Sequence, residues 1–421
     1  MQDTGDIIQA TLGEPQIGGD GDDLLIGDDR ANVLEGGNGV DTLVGLGGDD
    51  TIVGNKGDDR MLGGAGDDLL VWNNGDGSDI MTGDAGDDRT QVNFNTDLVE
   101  DDLQNDDTAR IETNGARTEF ARTEVNGQTE RGLFALNIDG VETLEVNFGG
   151  GNDTAELVGE LSREVDIELD GGEGADELDL SELSSGVRVV LDASGGDDQN
   201  GFVVTGPVRV DARDFENVVG TDFDDKVRGS KEDNVISGGD GADTLRGLRG
   251  DDTIVGNKGD DRMIGGAGDD LLVWNNGDGS DLMKGGRGDD RTQVNFDTDL
   301  VNDDLQNDDT ARIESAGQNF RFARTEVNGQ SERGLFELDI RFVETLEVNF
   351  GGGDDTAELV GVPSRRLTTE LDGGEGEDTL DLSDVERAAV VDIGAGLASV
   401  ERGGDVVFEG FENVIGTDFA D

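Results

Sequence analysis

The sequence predicts an all-β solenoid, a fold in which short, similar coils stack along one axis. Three observations support this prediction: a nine-residue repeat, stretches in which apolar residues alternate with polar ones, and a tandem duplication of the whole arrangement. A fixed short period indicates a solenoid because each repeat buries its apolar side chain only by stacking on its neighbours.

The repeat is clearest in Gly54–Leu62 and Gly63–Val71, which stand head to tail. Each unit has glycine at the first and fourth positions, aspartate at the sixth and an apolar residue at the eighth. We expect the last three residues of a unit to form a short strand whose middle side chain points inward. A flexible Gly/Asp-rich linker is the alternative interpretation. However, a linker has no need of an apolar residue at the eighth position of every unit. The inward residues of the first block include Leu25, Leu43, Ile52, Met61 and Leu70.

The composition indicates that the chain needs cations. It has 421 residues, of which 70 are glycine and only 33% are hydrophobic, and 100 acidic residues against 31 basic ones leave a formal charge of −69. Such a chain repels itself and buries little apolar surface. The charge also argues against nucleic acid or an anionic membrane surface as a partner, because both attract basic patches.

The residue types restrict which cation can bind. Cysteine and histidine are both absent, which excludes disulfides, thiolate sites and zinc sites of the usual kind. Glycines let backbone carbonyls approach an ion closely, and the sixth-position aspartate adds an anionic oxygen. An oxygen-only ligand set favours calcium. No apolar run reaches the roughly 20 residues of a membrane span, and residues 1–16 lack the features of a cleaved signal peptide.

Taken in order, the chain divides into two similar halves. Trp72 recurs as Trp274 and Phe120 as Phe322, each about two hundred residues further on. We predict a polar leader (1–16), a repeat block (17–91), a β-rich insert (92–147), a degenerate repeat segment (148–219), and then a second block (220–293), insert (294–349) and degenerate segment (350–421). Because residues 416–421 parallel 220–225, we expect the chain to be a piece of a longer array.

The inserts lose the nine-residue period and alternate instead, which predicts half-buried strands that we expect to be antiparallel. The alternating residues of the first insert are Val92, Phe94, Phe134, Leu136, Ile138, Leu144, Val146 and Phe148.

The repeat units resemble the Gly-Gly-x-Gly-x-Asp-x-apolar-x repeats of RTX, or haemolysin-type calcium-binding, proteins. The resemblance implies a right-handed parallel β-roll in which two nonapeptides make one coil and Ca²⁺ lies between stacked turns at each edge. In the first copy it places Asp23, Asp41, Asp59 and Asp79 on one edge and Asn32, Asp50, Asp68 and Asp88 on the other. In the second copy the edges are Asp225, Asp243, Asp261 and Asp281, and Asn234, Asp252, Asp270 and Asp290. Partial units add Asp153, Asp176, Asp355 and Asp378 as metal ligands.

This arrangement implies roughly a dozen calcium ions, each held by carboxylates and carbonyls. Asn32 and Asn234 lack the charge, and their turns have lost most of their glycines. We expect the sites at these two turns to be weak or empty.

Several other residues allow two interpretations. Trp72 and Trp274 either form an aromatic platform for a sugar or pack as a cap over a two-residue bulge in the roll, and we favour packing. Arg122 and Arg324 either bind an anionic ligand or form an ion pair with a carboxylate, and we favour the ion pair. The acidic runs are accessory calcium sites or, as we expect, solvated loops. These runs are 100–102 and 106–107 in the first copy, and 303–304 and 308–309 in the second.

The residue types also restrict the function. Without histidine, neither a His-Glu-x-x-His protease nor a Ser-His-Asp triad is possible, and no Gly-x-Ser-x-Gly elbow occurs. We therefore expect a non-enzymatic module that folds on calcium and serves as a spacer in a larger secreted or surface protein. The resemblance implies type I secretion. A polysaccharide-binding or adhesive module is the alternative, as is a surface layer or matrix in which copies of the chain assemble.

Overall fold

The computed structural model describes residues 5–9, 14–94, 106–125, 133–191, 201–206, 208–296, 308–316, 319–327 and 336–419. Within these ranges every regular element is a β-strand, so the chain is all-β. It divides into two compact units, Met1–Thr221 and Asp222–Asp421. The units correspond to the two copies of the tandem duplication.

The strands of the first unit are β1 (Ile7–Gln9), β2 (Gln16–Asp20), β3 (Leu24–Ile26), β4 (Val33–Asn38), β5 (Thr42–Gly47), β6 (Thr51–Lys56), β7 (Arg60–Ala65), β8 (Leu69–Asn73), β9 (Ile80–Ala85), β10 (Arg89–Asn93), β11 (Asp107–Asn114), β12 (Arg117–Val125), β13 (Phe134–Asp139), β14 (Thr143–Gly150), β15 (Thr154–Val158), β16 (Asp166–Glu173), β17 (Glu177–Asp179), β18 (Val187–Val190), β19 (Gly201–Thr205), β20 (Val208–Arg213) and β21 (Asn217–Val219).

The strands of the second unit are β22 (Lys226–Arg228), β23 (Val235–Ser237), β24 (Thr244–Arg249), β25 (Thr253–Val255), β26 (Arg262–Ala267), β27 (Leu271–Asn275), β28 (Leu282–Arg287), β29 (Arg291–Asn295), β30 (Asp309–Ala316), β31 (Asn319–Val327), β32 (Phe336–Arg341), β33 (Thr345–Asn349), β34 (Thr356–Gly361), β35 (Thr368–Asp372), β36 (Asp378–Asp381), β37 (Ala389–Asp392), β38 (Leu397–Val400), β39 (Asp405–Glu409) and β40 (Phe411–Ile415).

Successive strands of the first unit alternate between two sheets, as expected for a roll with two repeats per coil. One sheet runs β1, β3, β5, β7 and β9 in parallel, and the other runs β2, β4, β6, β8 and β10 in parallel. The register steps by one coil, so that Leu25 lies beside Leu43 and Leu43 beside Met61. These eighth-position side chains are fully buried. The predicted parallel β-roll is confirmed.

The insert does not stand outside the roll but adds strands to both of its sheets. In one sheet β13 continues in parallel from β9, β12 and β11 follow as antiparallel strands, and β15 pairs in parallel with β11. In the other sheet β10, β14 and β16 are all parallel. The antiparallel expectation is therefore correct for β11–β13 and wrong for the strands that carry Val92 and Leu144, because alternation reports a buried face and not a strand direction.

The insert supplies an aromatic core. The Trp72 and Phe134 rings stack with their centroids 3.8 Å apart, and the Phe94 and Phe148 rings stack at 5.2 Å. All of the alternating residues predicted for this insert are buried. Aromatic pairs of this kind stabilise a fold beyond the area that they bury, and the insert adds such pairs to the aliphatic side chains that fill the nonapeptide coils.

The second unit repeats this plan, and its antiparallel strands β30–β32 again belong to one of its two sheets. One sheet runs β22, β24, β26, β28, β32, β31, β30, β34, β36 and β40. The other sheet runs β23, β25, β27, β29, β33, β35, β39, β38 and β37. In this sheet β38 pairs antiparallel with β39 and with β37, and the other pairings are parallel. Trp274 stacks on Phe336 at 3.9 Å, as Trp72 does on Phe134.

Candidate calcium sites

The sixth-position aspartates form hydrogen-bonded ladders along the edges of each roll. The backbone N–H of Asp41 donates to Oδ1 of Asp59 at 2.7 Å, and that of Asp59 donates to Oδ1 of Asp79 at 2.8 Å. The other edge repeats the pattern from Asp50 to Asp68 at 2.8 Å. The structure therefore brings these residues together on the edges that the sequence predicted. The equivalent ladders of the second unit run from Asp225 through Asp243 and Asp261 to Asp281, and from Asn234 through Asp252 and Asp270 to Asp290.

The second carboxylate oxygen of most of these aspartates is buried without a hydrogen-bond partner among the described residues. A buried carboxylate oxygen in this state is costly unless a cation or a proton compensates it. The aspartates that share this feature are Asp41, Asp50, Asp59, Asp68, Asp79, Asp88, Asp153, Asp176, Asp243, Asp252, Asp261, Asp270, Asp281, Asp290, Asp355 and Asp378. All of them are among the predicted ligands.

The glycines of the turn make room for this carboxylate. A Cβ atom on Gly45, at the first position, would lie 2.1 Å from Oδ2 of Asp50 and 2.6 Å from the carbonyl oxygen of Gly63. At the fourth position, Gly57 has a φ of +149°, and a Cβ there would lie 1.5 Å from the carbonyl oxygen of Gly39. The turn thus gathers a carboxylate oxygen and carbonyl oxygens in a space that no larger residue allows.

Burial and mutual repulsion raise the pKa of the ladder carboxyls. Burial, partly offset by the hydrogen bond from the Asp59 backbone and reinforced by the charge of Asp59, raises the pKa of Asp79 to about 8. The same causes, with burial again the largest, raise the pKa of Asp59 to about 7 and that of Asp281 to about 8. The fold therefore holds carboxylates where their negative charge is disfavoured unless a cation lies beside them.

The donor set fits calcium. Among the described residues, no group of three or more acidic side chains surrounds a common point, so a site must combine carboxylate oxygens with backbone carbonyls. Calcium accepts such mixed, irregular oxygen shells, whereas magnesium demands a near-ideal octahedron and keeps several waters. At this edge a bound calcium would supply the positive charge that the buried Oδ2 atoms require.

The two asparagines in the ladders differ from the aspartates. Asn32 accepts the N–H of Asp28 through Oδ1 at 2.7 Å, and Asn234 accepts that of Ser230 at 2.7 Å. Each side-chain oxygen is thus held by its own turn and carries no charge. That the sites at these turns are weak stays a prediction.

The fifth-position acids form a second, exposed ladder. Oδ1 of Asp58 accepts the N–H of Ser78 at 2.9 Å, and Oδ1 of Asp67 accepts that of Asp87 at 2.9 Å. Because Asp58 and Asp67 are exposed to solvent, water compensates their charges. The fifth and sixth positions therefore differ in burial although both carry carboxylates.

A buried ion pair begins a further ladder beyond the hairpin. Arg122 donates from Nε and Nη2 to Oδ1 of Asp107 at 2.9 and 2.5 Å, and from Nη1 to Oδ1 of Asn74 at 2.9 Å. The N–H of Asp107 donates to Oδ1 of Asp153 at 2.7 Å, so Asp107 occupies a ladder position. The expected ion pair of Arg122 is confirmed. The expectation of a solvated loop is wrong for Asp107, which is buried.

The second unit repeats this ion pair between Arg324 and Asp309, with Nε 2.8 Å from Oδ1. Asp309 is also buried, so the solvated-loop expectation is wrong there too, and the acidic runs at 100–102 and 303–304 lie outside the described residues. The sequence did not identify Asp107 or Asp309 as ladder residues because no glycines mark their turns. The available signal was their spacing, since Ala109 and Ala311 follow two residues later at the buried position.

Four glutamates were also missed by the sequence analysis. The N–H of Asp88 donates to Oε2 of Glu142 at 2.9 Å, and that of Asp176 donates to Oε2 of Glu216 at 2.9 Å. Glu344 and Glu412 do the same for Asp290 and Asp378. The signal was again spacing, because Glu142 precedes buried Leu144 by two residues, as a sixth-position aspartate precedes its eighth-position residue.

The tryptophans are packed and do not form a surface platform. Trp72 is fully buried, and its indole N–H donates to the carbonyl of Gly77 at 2.9 Å. Trp274 is buried in the same way and donates to Gly279 at 3.0 Å. The packing interpretation is confirmed, and burial rules out stacking on a sugar.

Comparison with known proteins agrees with the repeat pattern. The model of the RTX calcium-binding nonapeptide repeat matches residues 17–52, 35–70, 219–254, 237–272 and 276–292. No curated protein matches the chain. Among the described residues, no helix is long and apolar enough to span a membrane.

A solved structure, the extracellular lipase LipA from Serratia marcescens, is similar to the chain at 13% sequence identity and a TM-score of 0.19. The similarity covers 80% of this chain and 40% of the lipase chain. A likeness at this level carries no argument about activity. The repeat matches, together with the buried aspartate ladders, show that the chain carries RTX calcium-binding nonapeptide repeats in the matched stretches of both units.

Proposed function

We propose that the chain is a calcium-dependent folding module that acts outside the cell as a structural spacer in a larger secreted or surface protein. The observation that carries this proposal is the buried, unpartnered Oδ2 atom in turn after turn of both units. Calcium would satisfy these atoms and reduce the self-repulsion of a chain with a formal charge of −69. Binding free energy then becomes folding free energy.

The calcium affinity that is typical of extracellular modules supports a location outside the cell. Extracellular calcium modules bind with dissociation constants of roughly 10⁻⁴ to 10⁻³ M. Sites of that strength stay unloaded in cytoplasm and are filled after export. Secretion of an unfolded chain by a type I system fits this behaviour, and the chain itself would need no catalytic residue.

A calcium titration followed by far-UV circular dichroism tests the proposal. Starting from chelator-treated full chain, we expect a cooperative change from a disordered to a β spectrum between roughly 0.1 and 5 mM Ca²⁺, and no such change with Mg²⁺. A chelated chain that already has a full β spectrum, unaltered by calcium, would refute it.

Polysaccharide binding is the second candidate, and one cleft in the first unit favours it. The cleft, of about 910 Å³, is lined by Thr113, Ser162, Arg163, Ser185 and Thr205 among others. Hydroxyls suit the hydroxyl groups of sugars, and Glu112 and Glu160, which also line the cleft, favour neutral over acidic polymers. Affinity-gel electrophoresis in calcium with neutral and acidic polysaccharides tests it, and equal mobility with and without each polymer would refute it.

A further inference from the structure

Four short segments, here called glutamate arms, share one backbone design. Each has a residue in the left-handed region, then a buried apolar residue, then a glutamate. The φ values of the left-handed residues Gly140, Asp214, Phe342 and Gly410 are 59°, 54°, 54° and 73°. The arms are 140–142, 214–216, 342–344 and 410–412. Left-handed geometry is costly for phenylalanine, so its presence at Phe342 indicates that the position needs this conformation.

Each glutamate arm follows the last aspartate of a ladder. The Asp88 N–H donates to Glu142 at 2.9 Å and the Asp290 N–H to Glu344 at 3.1 Å, as inner aspartates donate to the next aspartate. The carbonyl of Asp88 accepts both the Glu142 and Thr143 N–H groups at 3.0 Å. The glutamate therefore takes the place of a sixth-position residue on the next turn.

The arm also supplies a carbonyl oxygen in the place where a full turn would supply one. A Cβ on Gly83 would lie 2.2 Å from the Gly140 carbonyl oxygen and 2.5 Å from Oδ2 of Asp88. At an inner turn, a Cβ on Gly36 would lie 2.5 Å from the Gly54 carbonyl oxygen and 2.4 Å from Oδ2 of Asp41. The two environments match.

The second unit gives the same result at its own arm. A Cβ on Gly285 would lie 2.5 Å from the Phe342 carbonyl oxygen and 2.6 Å from Oδ2 of Asp290. The terminal aspartates also share the property that marks the inner ones, since Asp88 and Asp290 are each 1% exposed and their Oδ2 atoms have no hydrogen-bond partner among the described residues. The ends of these two ladders thus need a cation as much as their middles do.

The choice of glutamate follows from the length of the arm. In a nonapeptide turn five positions separate the first glycine from the aspartate, whereas in an arm two positions separate the left-handed residue from the acid. The arm lacks the glycine turn that brings an aspartate back to the edge. One extra methylene lets the carboxylate reach the N–H of the last aspartate.

We infer that Glu142, Glu216, Glu344 and Glu412 are calcium ligands that complete the terminal sites of the ladders ending at Asp88, Asp176, Asp290 and Asp378, together with that last aspartate and the carbonyl of the left-handed residue. This inference rests on the proposed calcium-dependent function. The matches to the RTX repeat include none of these four glutamates. Each of these four ladders therefore ends in a site made from two different supersecondary motifs.

Paired substitutions in the full chain test the inference. Glutamine keeps the size and the acceptor oxygen of glutamate but removes its charge, so E142Q/E344Q should keep the fold in saturating calcium. We expect this variant to bind two calcium ions at least about tenfold more weakly than the unaltered chain in equilibrium dialysis. The control E173Q/E375Q removes the same charge at exposed positions and should leave binding unchanged.

The outcomes separate the inference from the proposed function. If the unaltered chain binds calcium and E142Q/E344Q binds the same number of ions with the same affinities, the glutamates only accept hydrogen bonds and the inference is wrong. If the unaltered chain binds no calcium, the proposed function fails first. If E142Q/E344Q lacks β structure at low calcium, raising calcium must restore it, and a failure to recover would also overturn the inference.

Discussion

Arg122 and Asp107 form a buried ion pair at the point where the antiparallel hairpin separates two aspartate ladders. Both side chains are less than 5% exposed, and the guanidinium also lies over the Phe94 ring with Cζ 5.3 Å from the centroid. Asp107 holds a ladder position, and the guanidinium donates to its Oδ1 atom, the oxygen that in the other turns accepts the N–H of the preceding ladder residue. The protein thus supplies one positive charge of its own, and the equivalent pair of the second unit has the same geometry.

Removing this guanidinium should destabilise the calcium-loaded fold. R122M leaves the Asp107 carboxylate buried without its partner, which costs about 3–5 kcal/mol. Urea unfolding in saturating calcium measures the loss, and the double variant R122M/D107N should recover much of it. R110Q breaks a partly exposed pair with Glu182 and should cost less than about 1 kcal/mol. An R122M chain as stable as the R110Q chain would contradict this prediction.

Without calcium, acidification should favour the fold. The pKa values of Asp79 and Asp355 rise to about 8 in the folded chain, chiefly through burial, from an ordinary value of 3.8. A carboxyl with a raised folded-state pKa stabilises the fold below its unfolded pKa, and this contribution is lost as pH rises through the folded-state pKa. The chelated chain should therefore gain β signal as pH falls from about 8 to 5.

The same titration on D79N/D281N separates this effect from the general loss of charge. Asparagine removes two of the most strongly shifted carboxyls, so the β signal of the chelated variant should persist to higher pH. If the β content of the chelated chain instead grows as the pH rises, the buried carboxyls do not have raised pKa values in the folded chain.

Neighbouring aspartates in one turn should respond differently to neutralisation. D59N removes a buried ladder charge, and D58N removes an exposed one. We expect D59N to raise the calcium concentration at the midpoint of folding on the order of tenfold, because calcium affinity follows the charge of the ligands. D58N should shift it little. Equal shifts in the two variants would show that only net charge matters.

Two glycines in one strand provide a matched steric test. A Cβ on Gly45 would lie 2.1 Å from Oδ2 of Asp50, whereas a Cβ on Gly47 would lie 3.6 Å from its nearest neighbour. G45A should therefore cost about 1–3 kcal/mol in saturating calcium and weaken calcium binding, while G47A should be tolerated. Identical calcium titration curves for the two variants would contradict the packing of the carboxylate against Gly45.

The sequence predicts the nonapeptide part of the fold well because the ladder follows directly from the period. Residues one coil apart share an edge, so Asp41, Asp59 and Asp79 are placed by counting alone. The inserts are less predictable because alternation around Val92 reports burial without strand direction. The ends of the ladders are harder to predict for another reason. Their spacing to a buried residue marks Glu142 and Asp107 as candidates, but they meet their partners across gaps of 54 and 46 residues, and no repeat relates those distances.

The regular register of the coils has a mechanical consequence. Leu25, Leu43 and Met61 lie side by side one coil apart, so peeling one coil from the end of a roll frees about 60 Å of chain. The hairpin strands and the Arg122–Asp107 pair interrupt this series, because several strands share their aromatic core and cannot detach one coil at a time. Under tension each unit should lengthen in equal steps and then resist, and the force for each step should rise with the calcium concentration of the medium.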